Sequence, residues 1–261
     1  MNKPKLAASL IYCSAVIVFI IFLATAFAPV VTGGLELNDS DFTYETSGLD
    51  ITVKGSVELE SDLPYDITNV KAGLYLRAGD VHTTVFDTGS VNVSKGGKTV
   101  IQLDGKVSVI NALLYSAYSY SPGDNDIRIP MNLSIQAYYP LSLFGAEISG
   151  DTDLVISNSG SAKITAATDS HIAVEVSWND SGSISAFTGK VDGTGIDLKL
   201  TKTSNVLTFD IDSTEKIVKA LEKVFSENGE LKFTTSAGNI TLNEQESRGL
   251  IDVLRLILEE A

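Results

Sequence analysis

Two kinds of hydrophobic pattern divide the chain. Residues Leu6 to Val31 form 26 consecutive positions without a charged side chain. Beyond about Phe42, apolar and polar residues alternate with the period of two that half-buried strands show, as at Leu49, Ile51 and Val53. The pattern therefore predicts an N-terminal membrane segment followed by a β-rich region.

The apolar segment predicts a transmembrane helix over residues 6–31. At 1.5 Å per residue such a helix is about 39 Å long, which exceeds the ~30 Å hydrocarbon core of a bilayer. Lys3 and Lys5 precede the segment, and Glu36 is the first charged residue after it. By the positive-inside rule we expect residues 1–5 in the cytoplasm and the chain beyond about Gly33 outside it.

A cleavable signal peptide is the competing interpretation of this segment. The small-residue patterns within Ala24 to Ala28 resemble cleavage sites, but the apolar stretch is longer than the ~7–15 residues of a signal core. Length therefore favours a retained signal anchor that holds the protein to the bilayer. Cys13 lies within this segment, where we expect a buried, unreactive thiol.

Turn residues separate the alternating runs and predict an antiparallel β-sandwich over about residues 35–158. One segment differs, because Val109, Leu113 and Ala117 recur at helical spacing and predict a short helix over Ser108 to Tyr118. The predicted strands of this region include alternating runs at 49–59, 70–76, 83–93, 99–109, 127–139 and 146–156.

Residues 160–261 predict an α+β domain with an internal repeat. An ungapped offset of 33 residues aligns 198–228 with 231–261, and each segment predicts two strands followed by an amphipathic helix. Capping-box patterns predict where the helices begin: Asp212 with Glu215, and Asn243 with Glu246. Two unrelated hairpin–helix segments would also look alike at this level, so duplication is one of two interpretations.

Residues of about 35–158 resemble the late-embryogenesis-abundant type 2 domain, also called the water-stress and hypersensitive-response domain. The resemblance rests on Leu49-Asp50-Ile51-Thr52-Val53, on Leu63-Pro64-Tyr65 with the following Ile67-Thr68-Asn69-Val70, and on the Gly turn after Leu74-Tyr75-Leu76. Val91-Asn92-Val93, Ile129-Pro130 and the run from Leu133 to Pro140 fit the later strands. The resemblance implies an immunoglobulin-like sandwich with a non-enzymatic role in stress protection or apolar-ligand binding, and it implies no catalytic residue.

Charge and composition exclude several classes of protein. The 33 acidic and 19 basic residues give a net charge of -14, and leaving out Lys3 and Lys5 makes the region beyond the anchor -16. Such a domain repels nucleic acid and anionic headgroups. One cysteine and two histidines exclude a zinc cluster and a disulfide framework.

The candidate catalytic and metal-binding residues do not match the patterns of known sites. His171 follows Asp169 and Ser170, but three adjacent residues do not readily face one another as a triad. His82 is expected in a strand or turn. The acidic pairs Asp124/Asp126 and Asp151/Asp153 fit solvated turns better than calcium loops. Tyr115, Tyr118, Tyr120, Tyr138 and Tyr139 are expected to pack in the core and its rim, with a sugar-stacking surface as the alternative. We therefore predict no catalytic, cofactor or metal site.

Five Asn-X-Ser/Thr triplets follow the apolar segment, at Asn38, Asn92, Asn132, Asn179 and Asn239. They predict N-glycosylation in a suitable host. Together the patterns predict a membrane-anchored extracytoplasmic protein that acts as a non-catalytic binding or structural module of the cell envelope, with an envelope protein as its partner. The alternative is a lipid or apolar-ligand carrier at the membrane surface.

Overall fold

A computed structural model describes residues 35–260, except 122, 124–125, 140–144, 157–159 and 180–182. The described part is mainly β, with antiparallel sheets and three helices, which confirms the predicted β-rich class. Its strands are β1 (Leu35–Ser47), β2 (Asp50–Ser61), β3 (Ile67–Ala78), β4 (Val81–Asp87), β5 (Val91–Val93), β6 (Lys98–Ser108), β7 (Ile127–Tyr138), β8 (Gly145–Ile156), β9 (Ala162–Thr168), β10 (His171–Ser177), β11 (Phe187–Val191), β12 (Ile196–Thr203), β13 (Val206–Ser213), β14 (Leu231–Thr235) and β15 (Gly238–Leu242). Its helices are α1 (Val109–Ser119), α2 (Ile217–Asn228) and α3 (Glu244–Glu259).

The strands form three sheets. The first half of the chain contains a three-stranded sheet, β1-β2-β6, and a five-stranded sheet in the order β4-β3-β7-β8, with β5 paired to β3. The second half contains a seven-stranded sheet in the order β15-β14-β11-β12-β13-β10-β9, in which every neighbouring pair is antiparallel.

Alternation along the strands of the first half buries one face of each sheet. Ile51, Val53, Val57 and Leu59 of β2 all have less than 3% of their surface exposed. The two sheets approach closely at Gly105, where a Cβ atom would lie 2.8 Å from the Phe86 Cβ and the Val85 carbonyl oxygen. Glycine at this position lets strand β6 pack against β4.

Helix α1 is buried from Val109 to Ala117 and contacts both halves of the chain. Ser108 caps it by accepting a 3.1 Å hydrogen bond from the Asn111 backbone N–H, as expected for a Ser N-cap. The helix packs against β7 of the first half and against β9 and β10 of the second half. The sequence placed this helix within one residue of its observed start and end, although not its full burial.

Helices α2 and α3 contact the seven-stranded sheet and each other. The prediction for the start of α3 is confirmed: the Asn243 side chain accepts a hydrogen bond from the Glu246 N–H at 3.0 Å, and Glu246 accepts one from the Asn243 N–H at 2.9 Å. The corresponding prediction for α2 is wrong. Asp212 belongs to strand β13, and α2 begins after Lys216 without a side-chain cap.

Two sets of contacts join the halves through buried groups. Thr83 Oγ1 of β4 and the Tyr115 hydroxyl of α1 lie 2.7 Å apart, and a Cβ on Gly249 of α3 would lie 2.8 Å from the Thr83 Cβ. On another side, the Trp178 indole N–H donates a 3.3 Å hydrogen bond to the Tyr44 hydroxyl. The buried apolar residues of both halves consequently form one continuous core.

The predicted transmembrane helix over residues 6–31 and Cys13 lie outside the described residues. Within the described part, none of the helices is long and apolar enough to span a bilayer.

Candidate functional site

The residues that suggested a catalytic triad do not assemble into one. His171 Nδ1 lies 2.6 Å from Asp212 Oδ1 on the neighbouring strand β13. Asp169 pairs instead with Lys216, and its backbone carbonyl accepts the first N–H of α2, from Ile217, at 2.7 Å. Asp169 thus ties the β9–β10 turn to the start of helix α2, whereas the His171–Asp212 pair joins strands β10 and β13.

The hydroxyl of Thr168, which bonds to the His171 backbone, has a structural role. Thr168 Oγ1 accepts a 3.0 Å hydrogen bond from the His171 backbone N–H and donates to its carbonyl oxygen at 3.2 Å. An acyl-transfer site needs a nucleophile hydrogen-bonded to the imidazole and an oxyanion hole. Thr168 instead satisfies backbone groups of the turn, so the geometry fits a surface hydrogen-bonded pair of His171 and Asp212.

The outer face of the five-stranded sheet carries the most organised polar surface. We call the surface formed by Tyr75, Arg77, His82, Asn132 and Asp151 the polar sheet face. Arg77 lies 2.5 Å from Asp151, and Asn132 donates a 3.2 Å hydrogen bond to the same carboxylate. The Arg77 guanidinium and then the Asn132 amide lower the pKa of Asp151. Asp151 of β8 therefore accepts hydrogen bonds from side chains on two other strands, Arg77 of β3 and Asn132 of β7.

Aromatic rings flank this network. The Tyr75 ring lies beside Gly73, where a Cβ would be 2.8 Å from its Cζ, and its centroid lies 6.5 Å from the ring of His82. Burial raises the pKa of Tyr75 above its ordinary value. His82 is exposed in strand β4, in agreement with its expected place in a strand. The polar sheet face can thus offer hydrogen bonds and one aromatic ring to a partner.

The acidic pairs do not form a metal centre within the described residues, where no group of three or more His, Cys, Asp or Glu side chains is arranged to hold an ion. Asp151 and Asp153 lie in strand β8, rather than in the predicted turn, and each pairs with an arginine. Asp124 lies outside the described residues, and Asp126 directly precedes strand β7.

The five tyrosines divide between core and rim. Tyr115 and Tyr139 are buried, Tyr118 and Tyr120 are half-buried, and Tyr138 is exposed. Burial raises the pKa of Tyr115 to about 12, and the charge of Asp252 acts in the same direction, whereas the hydrogen bond with Thr83 opposes it. These positions bring Tyr115 into the junction between the two halves.

An open hollow of about 400 Å³ lies between strand β9 and the end of helix α3. It is lined by Ile164, Thr165, Ala166, Ala167, Ile257 and Glu260. The Tyr118 hydroxyl donates a 3.1 Å hydrogen bond to Glu260 at its margin. The lining mixes apolar and polar groups, and the hollow opens to solvent.

The acceptor asparagines lie in different strands and turns. Asn38 is in β1, Asn92 in β5, Asn132 in β7, Asn179 two residues after the end of β10, and Asn239 in β15. The side chains of Asn92, Asn179 and Asn239 are exposed, and that of Asn132 is half-buried.

Sequence reasoning missed the residues that build the junction. Gly249 gave one signal, since glycine inside an amphipathic helix is unfavourable and its presence often has a packing reason. Thr83 gave none, because its partners Tyr115 and Gly249 are distant in sequence.

Comparisons with known proteins add no functional assignment. No protein-family model matches the chain, and no curated protein matches it. Among solved structures it is similar to Spo0M, a sporulation control protein from Bacillus subtilis, with a TM-score of 0.32, 12% identity and coverage of 87% of this chain and 99% of that one. It is also similar to a transglutaminase from red sea bream, with a TM-score of 0.31, 10% identity and coverage of 79% and 31%, so it spans about a third of that protein. A third match is the CupB6 tip adhesin from Pseudomonas aeruginosa, with a TM-score of 0.26, 8% identity and coverage of 80% and 97%. These low values assign neither an activity nor a site to this chain.

Proposed function

We propose that this protein is a single-pass, membrane-anchored component of the cell envelope whose acidic extracytoplasmic part acts as a non-catalytic binding or structural module. One observation carries the proposal: the two halves share a continuous buried core, with charged side chains paired across open sheet faces. Solid packing and surface ion pairs favour a rigid platform over a reaction cavity.

The arrangement of the first half supports the proposed resemblance to the late-embryogenesis-abundant type 2 domain. Two antiparallel sheets, β1-β2-β6 and β4-β3-β7-β8, contribute apolar faces to the core, and α1 connects β6 to β7. This arrangement fits an immunoglobulin-like sandwich. In the second half, β12-β13-α2 and β14-β15-α3 repeat the same element order, which supports the proposed duplication.

The platform offers the polar sheet face as its binding surface. Arg77, Asn132 and Asp151 are held by one another, so their positions are fixed before a partner arrives. Pre-ordered side chains reduce the entropy lost on binding. A photo-crosslinking residue at Arg128, which is exposed beside this face, should capture a neighbouring envelope protein in intact cells, whereas one at Lys219 of α2 should not.

Topology is tested with the full chain in membranes. The protein should stay in the membrane pellet after alkaline carbonate extraction, and a C-terminal reporter active only outside the cytoplasm should give signal. A matched reporter active only in the cytoplasm should give none. Release of the intact chain into the soluble fraction, or the opposite reporter pattern, would overturn the proposed location.

The hollow beside strand β9 favours a second candidate, the binding of a single apolar ligand at the membrane surface. Ile164 and Ile257 line it, and its volume of about 400 Å³ falls within the ~300–1,000 Å³ of small-molecule sites. Native mass spectrometry of the detergent-purified chain distinguishes the candidates. A stoichiometric lipid that is lost in Ala166→Trp supports the carrier, and absence of bound lipid supports the module.

A further inference from the structure

Four acceptor asparagines have described side chains, and Asn132 is the least suited to carry a glycan. Strand β7 lies between β3 and β8, and Asn132 Nδ2 donates to Asp151 there. The hydroxyl of its triplet belongs to Ser134, which is buried and donates a 2.7 Å hydrogen bond to Glu147. A sugar on Asn132 would displace groups of the polar sheet face.

Asn92 and Asn179 are exposed, but their amide oxygens hold neighbouring segments. Asn92 Oδ1 accepts a 3.0 Å hydrogen bond from the Asn69 backbone N–H, at a residue with a positive φ of 52°. Asn179 Oδ1 accepts a 2.7 Å hydrogen bond from the Asn205 amide. These bonds fix the rotamers of both asparagines, which limits the positions a glycan can take.

Asn239, in contrast to Asn132, has an exposed side chain on a strand at the edge of its sheet. It lies in β15, at the end of the seven-stranded sheet, and among the described strands β15 pairs with β14 alone. Asn239 and Thr241 are both exposed, and Ile240 between them is buried. Because side chains alternate along a strand, the acceptor amide and the hydroxyl of its triplet share the solvent face.

Among the described residues, strand β15 carries none of the charges or irregularities that protect many sheet edges. Its residues, Gly238-Asn239-Ile240-Thr241-Leu242, include no charge and no proline, and its pairing with β14 has no bulge. Uncharged free edges are prone to pair with other strands. A bulky hydrophilic group on Asn239 would block that approach.

We propose that Asn239 is the preferred N-glycosylation acceptor of this protein and that its glycan shields the β15 edge. The inference rests on the proposed extracytoplasmic location. In the transfer, Asn239 Nδ2 forms a bond to the anomeric carbon of a lipid-linked oligosaccharide. The bond from that carbon to the phosphate oxygen breaks, the lipid phosphate leaves, and Nδ2 loses one proton.

The test expresses the full chain in a eukaryotic host, with the acceptor tail Gly-Ser-Asn-Gly-Thr appended after Ala261 as an internal control. Glycans are released enzymatically in heavy-oxygen water, which marks each occupied asparagine for peptide mass spectrometry. We expect Asn239 and the tail to carry a glycan and Asn132 to be unoccupied. Asn239→Gln and Thr241→Ala should each remove the mass of one glycan, and Thr241→Ser should retain it.

The outcomes separate this inference from the location on which it depends. An occupied tail with an empty Asn239 overturns the inference alone. An empty tail with an empty Asn239 overturns it together with the proposed location. Occupancy of Asn132 equal to that of Asn239 overturns the preference.

The shielding role has its own readout. By light scattering after size-exclusion chromatography, Asn239→Gln should form larger species as its concentration rises. The double variant Asn239→Gln/Thr241→Lys should return to the oligomeric state of the glycosylated protein, because a lysine protects the edge by charge. If Asn239→Gln keeps the oligomeric state of the glycosylated protein at every concentration, the shielding role is overturned.

Discussion

The two strand–strand–helix units have the same element order but begin their helices at different points. With the 33-residue offset, Ile217 at the start of α2 aligns with Leu250, whereas α3 already begins at Glu244. The second unit is therefore helical over 244–249, where the first unit ends strand β13 and turns. An early helix start distinguishes the unit that joins the halves from the unit that stays on the surface.

The added helical residues of α3 make the contacts that α2 lacks. Gln245 accepts a hydrogen bond from Thr84, and Gly249 lies against Thr83. Of their aligned counterparts, Asp212 is hydrogen-bonded to His171 at the surface, and Lys216 forms a surface ion pair with Asp169. The comparison shows how one hydrophobic pattern supports either a surface or an interface, depending on residues outside the apolar stripe.

Gly249→Val should break the comparison most strongly. The new side chain would overlap Thr83, and overpacking of a core contact of this kind costs typically about 1–3 kcal/mol, so we expect a loss of about 3 kcal/mol in the free energy of unfolding. The matched control is Lys216→Val at the aligned, exposed position directly before α2, which should change stability by less than ~0.5 kcal/mol. Urea unfolding measures both. Equal effects would contradict the assigned role of Gly249.

Ser247→Ala should destabilise the start of α3 by about 2 kcal/mol, because it leaves a buried donor without an acceptor. The buried Ser247 hydroxyl accepts a 3.0 Å hydrogen bond from the Leu231 backbone N–H and donates one of the same length to the Leu242 carbonyl. Thr214→Ala, at the aligned exposed position, is the control and should be near neutral. Thermal unfolding of the two variants should therefore differ; a shift of the same size in both would refute the assignment.

Tyr115→Phe should sharpen the comparison through its pH dependence. The unfolded tyrosine titrates near ~10, while the folded pKa is about 12. The folded state thus binds more protons between these values. The stabilisation contributed by protonated Tyr115 is therefore complete below pH ~10 and is lost as the pH rises through about 12. At ~1.4 kcal/mol for each unit of pKa difference, the loss is about 2–3 kcal/mol.

The measurement compares urea unfolding of the two proteins from pH 8 to pH 12. At neutral pH the variant should be about 1 kcal/mol less stable, because Thr83 loses its hydrogen-bond partner. Above pH 10 the difference should shrink and then reverse. Parallel curves over the whole range would show that Tyr115 does not titrate with this shift.

Asn243→Ala should have the smallest effect, about 0.5–1 kcal/mol, because it removes one half of the capping box. Asp210→Ala is the comparison at the aligned position, which lies within strand β13 opposite Lys199. Only the first variant should reduce the helical signal of α3 in circular dichroism. Loss of helix in both would mean that the capping box does not set the early helix start.

Local patterns predicted what depends on local interactions. Helical spacing located α1, and the Asn243/Glu246 pattern located the start of α3. The same pattern failed at Asp212, because cross-strand pairing with Asp197 and the contact with His171 hold that residue in a strand. Tertiary contacts there outweigh the capping preference.

The first strand of the β-rich region shows little of the alternation that marks the later strands. Strand β1 begins at Leu35, which agrees with the predicted start of the sandwich near residue 35. The alternating pattern is recognisable only from about Phe42, because the polar residues around Asn38 and Asp41 mask it. A register shift between Asn38 and Ser40 disturbs it further. The contact between Thr83 and Gly249 joins residues far apart in sequence, so its distance could not be inferred from either segment.

The rigid union of the two halves is tested most directly by thermal unfolding of the purified full chain, followed at two signals at once. Trp178 is the only tryptophan, is buried at the junction and contacts Tyr44, so its fluorescence reports that interface. Far-ultraviolet circular dichroism reports all the strands. The two signals should change in one coincident transition. A tryptophan transition that precedes the loss of β-structure would contradict the account, because the halves would then separate before they unfold.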